Sequence, residues 1–178
     1  GMRQAGKTLA PLVIPELKNY FQSGFEVVST EEDLMVPITD FTLDEYNFKG
    51  FIDLVVKSPD GKYHVIDWKT CSWGWDARRR SEPMTTYQLT LYKKFFCQKH
   101  DIDESLVETH FALLKRTAKS NQVELFRVTS GKKKTSNALK LLNQALININ
   151  KGNHVKNRLA CKGTYGMCEF YNTEHCTR

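Results

Sequence analysis

Apolar positions along this chain change period several times, and the changes mark out its elements. Leu9, Leu12, Val13, Leu17, Tyr20 and Phe21 fall on one face of a helix over residues 9–22. Pro11 and Pro15 conflict with that pattern, since an interior proline kinks or stops a helix. A start at Pro15 would resolve the conflict, because proline suits the first helical position. Residues 25–38 read as a strand with an acidic bend at Glu31-Glu32-Asp33. Residues 47–57 and 62–69 read as two more strands, and Pro59-Asp60-Gly61 between them signals the turn of a hairpin.

Residues 71–81 form a polar, basic loop holding Trp73 and Trp75. A helix is expected over 82–99, with Met84, Leu91, Tyr92 and Phe95 on one face. Strands follow at 107–115 and 122–129. The cleanest helical stripe is Ala138, Leu141, Leu142, Ala145, Leu146 and Ile149. The order is α-βββ-α-ββ-α. A helix crossing between the third and fourth strands implies a mixed sheet, so the class is α/β in the broad sense, α+β in detail. Residues 1–155 read as one core and 156–178 as a cysteine-containing tail.

Composition narrows the function classes. The 178 residues suit one domain, and 40% apolar with 26% charged residues suits a soluble globular chain. No apolar run approaches the roughly 20 residues needed to span a bilayer. The N-terminus lacks a secretory apolar segment, so a cytoplasmic location is expected. The net charge is +6, concentrated in Arg78-Arg79-Arg80, Lys93-Lys94, Lys115-Arg116 and Lys132-Lys133-Lys134. Such clusters suit a polyanion, although each one alone reads more simply as solvated surface. Five cysteines without a secretory signal point away from a disulfide framework and toward reduced thiols or a metal.

The chemistry gathers around Asp67-Trp68-Lys69, which ends the apolar run Tyr63-His64-Val65-Ile66, with Asp53 fourteen residues upstream. Strand alternation puts Asp67 and Lys69 on one face and turns the Trp68 side chain to the other. Two carboxylates and a backbone carbonyl, that of Trp68, suffice for Mg²⁺ or Mn²⁺, which keep several waters. A cation so held activates water and stabilises a transferring phosphoryl group. Lys69 would then orient the water or stabilise the developing charge. A simple Asp67–Lys69 salt bridge is the plainer reading of the tripeptide. Asp53 weighs against it, because a charge inside an apolar strand is costly unless paired or metal-bound.

Gly50-Phe51-Ile52-Asp53, then Val65-Ile66-Asp67-Trp68-Lys69-Thr70, then Gln88-Leu89-Thr90-Leu91-Tyr92 resembles the RecB-type exonuclease branch of the PD-(D/E)xK nuclease superfamily. The resemblance spans roughly residues 9–150. It implies a restriction-endonuclease-like core and a divalent-metal-dependent DNA nuclease, of exonuclease type, acting in recombination, repair or phage DNA processing. It assigns metal binding to Asp53 and Asp67, catalysis to Lys69, and contact with that lysine or with DNA to Gln88, supported by Tyr92. Gln88 and Tyr92 are i, i+4 neighbours, and a boundary glutamine beside a core tyrosine is the alternative. Glu16 is the counterpart of the family's first-helix ligand; a first-turn acid favoured by the helix dipole is an equal reading. Arg78, Arg79 and Arg80 beside two tryptophans suit a grip on phosphate and base.

Some RecB-type nucleases carry an iron–sulfur cluster, and Cys161, Cys168 and Cys176 could supply three of its ligands. The spacing is wide and no cysteine precedes Cys71, so such a cluster would draw on an upstream segment. Zinc through these three and His175 is another option, and three unliganded thiols are the favoured one. DNA is the expected partner, with a helicase or recombination protein beside it. The competing function is a non-cleaving nucleic-acid-binding module of a larger helicase–nuclease.

Overall fold

A computed structural model describes residues 2–41, 46–153, 161–163 and 166–176. The chain divides into two units, residues 1–140 and 141–178. In the first unit, α1 (Met2–Tyr20) precedes a hairpin-connected trio, β1 (Glu26–Pro37), β2 (Asn47–Lys57) and β3 (Tyr63–Cys71). Then come α2 (Ala77–Ser81), α3 (Pro83–His100), β4 (Val107–Lys115) and β5 (Val123–Val128). The last helix, α4 (Lys132–Asn150), crosses the boundary between the units.

The five strands form one sheet in the order β1-β2-β3-β4-β5. Every pair is antiparallel except β3 and β4, which run parallel from Tyr63↔Val107 to Cys71↔Lys115. The parallel pair follows from α3, which carries the chain back across the sheet. This is the mixed, helix-flanked α+β core expected of a restriction-endonuclease-like fold.

The even-numbered side chains of β2 to β4 face α1. Leu17 and Phe21 pack with Leu54, Val56, Ile66 and Ala112, joined by Val123 and Leu125 from β5. Trp68 packs on the same cluster. The helix begins at Met2, not at Pro15, and holds both prolines in its interior. Pro11 and Pro15 are four residues apart and both exposed. They therefore lie on one solvent-facing strip, where water can serve the carbonyls that lose their N–H donors. Leu12 of the expected stripe is exposed instead.

The acidic bend in β1 is real and local. Register slips between Val27 and Ser29, and Glu31 adopts φ 51°. Glu32 is held by Lys99 and His100, each 2.8 Å away at the end of α3. Residues 71–81 are not all loop, because the Asp76 carboxylate caps a short helix by accepting from the Arg79 N–H at 2.8 Å. Glu82 caps α3 in the same way, accepting from the Thr85 N–H at 2.7 Å.

In the second unit, α4 leaves Leu141 and Ile149 of its expected stripe exposed, while Leu146 is buried. A two-stranded ribbon follows, β6 (Lys162–Gly163) and β7 (Gly166–Met167). It sets Cys168 opposite Cys161, whose carbonyl accepts the Cys168 N–H at 3.0 Å. Residues 154–160, 164–165 and 177–178, which include parts of the expected tail, lie outside the described residues.

Candidate active site

The site forms where the sheet splits. β2 and β3 are paired from Lys57↔Tyr63 to Leu54↔Ile66, and the ladder stops there. The next residues, Asp53 and Asp67, stand at the fork. Asp53 replaces a missing ladder bond with its side chain: its Oδ2 accepts the Trp68 N–H at 2.6 Å. In a strand, a residue's N–H and C=O point toward the same neighbouring strand. The Trp68 carbonyl is thereby directed into the same gap, while its ring stays in the α1 cluster.

Asp67 is 3% exposed, among the most buried charged residues of the described chain. The Lys69 ammonium lies 2.6 Å from its Oδ2. The two groups form a close charge pair at the buried Oδ2. Burial pushes the Asp67 carboxyl above its ordinary range, Lys69 pulls it down, and the Asp53 charge pushes it up again. Burial thus leaves the Asp67 charge incompletely compensated even with Lys69 beside it. A hard dication among Asp53, Asp67 and the Trp68 carbonyl would relieve that deficit, so the donors present fit Mg²⁺ or Mn²⁺.

Gln88 and Tyr92 are brought together on α3, where the Gln88 amide donates to the Tyr92 hydroxyl at 3.1 Å. Tyr92 is buried against β2. A Cβ at Gly50 would lie 2.8 Å from its Cε1, so only glycine leaves room for the ring. This contact ties α3 to β2 three residues before Asp53. The Gln88 bond seen is to Tyr92, not to Lys69.

The other sequence-derived candidates are placed differently. Glu16 sits on α1 with the Asn19 amide 3.5 Å from its Oε2. It does not gather with Asp53 and Asp67: among the described residues, the group of acidic, histidine or cysteine side chains whose ligand atoms all lie within 4.8 Å is His64, Glu108 and His110. Arg78, Arg79 and Arg80 do not form one basic surface, because a helix turns them in different directions. Arg80 points inward, donating to the Trp75 carbonyl at 2.9 Å and to Glu124 at 2.7 Å. Arg79 lies over the Trp75 ring at 4.7 Å. Arg78 and Arg79 remain exposed, as does Trp73. Cys161, Cys168 and Cys176 are free thiols, and His175 pairs with Glu174 at 3.5 Å.

Sequence reasoning passed over His64 and His110. The available signal was the one that exposed Asp53, a lone polar residue inside an apolar strand. Both lie on the sheet face opposite Asp67, since strand positions of even and odd number alternate.

A family model described as the PD-(D/E)XK nuclease superfamily matches residues 2–173. No curated protein matches the chain. Among solved structures, the chain is similar to SSO0001, with 17% identity over 80% of this chain and 58% of that one, at a TM-score of 0.49. It is also similar to a "Putative exonuclease" from Eubacterium rectale, with 12% identity over 85% of this chain and 55% of that one, at a TM-score of 0.55. The chain spans little more than half the length of either.

Proposed function

The chain belongs to the PD-(D/E)XK nuclease superfamily, and from that premise we propose that it hydrolyses DNA as an exonuclease of the RecB type. The observation that carries the proposal is the fork between β2 and β3, with Asp53 on one arm and a buried Asp67, paired with Lys69, on the other. Asp53, Asp67 and the Trp68 carbonyl hold Mg²⁺ or Mn²⁺. When bound, such an ion supplies Lewis-acid stabilisation of phosphoryl oxygens and lowers the pKa of water.

Lys69 has a double role in this reading. Its ammonium faces Asp67 at 2.6 Å, on the same strand face, so it can donate to the attacking water or to a non-bridging phosphate oxygen. The Gln88–Tyr92 pair holds α3 against β2 and fixes the Asp53 arm of the fork. Arg78, Arg79 and the exposed Trp73 lie on the connection that leaves β3, where backbone phosphates and an unstacked base can meet them. The process served is recombination, repair or phage DNA processing in the cytoplasm, alongside a helicase or recombination protein.

The test is cleavage of 5′- and 3′-labelled single- and double-stranded DNA with Mn²⁺. Expected are short products released from linear ends, resistance of covalently closed circles, and complete inhibition by EDTA. Asp67→Ala and Lys69→Ala should each lower the rate at least about 100-fold. DNA binding without turnover in the wild type would identify a non-cleaving module instead. Wild-type rates in either variant would refute the assigned roles.

A further inference from the structure

We propose that His64, Glu108 and His110 form a second metal site, for Zn²⁺ or a similar borderline ion, on the sheet face covered by α1. The parallel register of β3 and β4 sets His64 opposite Glu108 and Ile66 opposite His110. His64 Nδ1 and His110 Nε2 are 3.0 Å apart, and Glu108 Oε2 is 3.9 Å from His64 Nδ1. Three ligands about 2.1 Å from a tetrahedral ion stand about 3.4 Å from one another. These two spacings straddle that value and all three ligand atoms lie within 4.8 Å of one another, so a shift of about an ångström or less in the Glu108 carboxylate would draw the set around an ion.

The outer atoms of each ligand are already held, as in built metal sites. Ser58 Oγ contacts the Asp60 carboxylate, which can only accept, so the Ser58 hydroxyl donates there. Ser58 must then accept from His64 Nε2–H, at 2.8 Å. That fixes the His64 tautomer and leaves its Nδ1 lone pair aimed into the cluster. His110 Nδ1 lies 3.1 Å from the Tyr20 hydroxyl, which can donate or accept. With the His110 proton on Nε2, the two rings bond to each other. With it on Nδ1, donated to Tyr20, both rings present lone pairs to one point and no proton need leave them. Lys62 and Arg127 hold Oε1 of Glu108 at 3.4 and 3.2 Å, which leaves Oε2 turned toward the imidazoles.

His110 is 2% and His64 6% exposed, yet the cluster has an entrance. An open cavity of about 420 Å³, lined by Tyr20, Ser58, Asp60, Lys62, His64 and Glu108, reaches it and has room for a water as fourth ligand. Two imidazoles select Zn²⁺, Co²⁺ or Ni²⁺ over Mg²⁺ and Mn²⁺. The site is therefore chemically separate from the all-oxygen donors of the fork, and it stands whether or not that fork cuts DNA. Its effect would be a staple: one ion joins β3 to β4 and, through Tyr20, the end of α1.

The test is titration of the metal-stripped full chain with Co²⁺ in excess Mg²⁺. Expected are one equivalent bound, visible bands of tetrahedral Co²⁺ without a thiolate charge-transfer band, and a raised melting temperature with Zn²⁺. His110→Ala and Glu108→Gln should weaken binding at least about 100-fold, and Tyr20→Phe about tenfold, with Cys168→Ser unchanged. Circular dichroism checks the fold, and Glu108→Gln and Tyr20→Phe decide the matter if His110→Ala does not fold. Absence of uptake by the wild type would overturn the proposal and leave a hydrogen-bonded histidine pair. So would bands lost in Cys168→Ser or Asp67→Ala but kept in His110→Ala.

Discussion

Asp53 does two jobs that substitution can separate. Its carboxylate closes the sheet by accepting the Trp68 N–H at 2.6 Å, and its charge faces the proposed cation. Asp53→Ala removes both. It strands a half-buried amide, at about 1–3 kcal/mol for a fully desolvated group. Partial access to water puts the cost in the lower half, about 1–2 kcal/mol, or roughly 2–8 °C in melting temperature for a chain of this size. Asp53→Asn keeps an acceptor oxygen in the same place and should cost well under about 1 kcal/mol. Both variants lose the charge, so both should lose cleavage. Both should also lose the stabilisation that Mn²⁺ gives the wild type, about 2.7 kcal/mol at a hundred times Kd. The assay is thermal unfolding of wild type, Asp53→Ala and Asp53→Asn with EDTA and with Mn²⁺, beside DNA cleavage. If Asp53→Asn unfolds as early as Asp53→Ala in EDTA, the hydrogen bond is not what holds the fork. If Asp53→Asn still gains the full Mn²⁺ shift, the carboxylate is not a ligand.

Two further outcomes follow from the packing around Gly50 and from the burial of His110. Gly50→Ala places a methyl 2.8 Å from Tyr92 Cε1 and 3.2 Å from Phe48 Cε1; overpacking of this kind costs about 1–3 kcal/mol, read as an earlier urea midpoint with a displaced Tyr92–Gln88 pair and slower cleavage, and an unchanged midpoint would refute the packing argument. His110 is pushed by burial from 6.5 down to about 3. The folded imidazole stays neutral where the unfolded one takes up a proton, so metal-free stability is full above pH 6.5 and falls as the pH drops toward 3, by up to about 1.4 kcal/mol per pH unit. Urea midpoints between pH 7 and 5 in EDTA should show this slope, and His110→Gln should flatten it; equal slopes in the two proteins would refute the assignment.

The fork was legible in sequence because its parts are local. Asp67 and Lys69 are two apart on one strand, and the Pro59-Asp60-Gly61 turn fixes which strand Asp53 is on. The helix start was not, because the proline rule concerns lost donors, and an exposed strip of α1 lets water replace them. The directions of the three arginines are not legible in the sequence: consecutive residues on α2 diverge, and Arg80 finds Glu124, 44 positions away. His64 and His110 are 46 positions apart and meet only through the parallel register that α3 creates. Long-range parallel pairing leaves no trace in local periodicity.

The fork also has a bearing on how the chain finds its register. Sliding β3 by one residue against its neighbours would exchange its two faces. Asp67 and Lys69 would enter the apolar layer beneath α1, and Ile66 and Trp68 would take their places. A misaligned molecule would thus be a poorly folded one before it could be an inactive one. The charged residues proposed for phosphodiester cleavage would also guard the register of their own sheet.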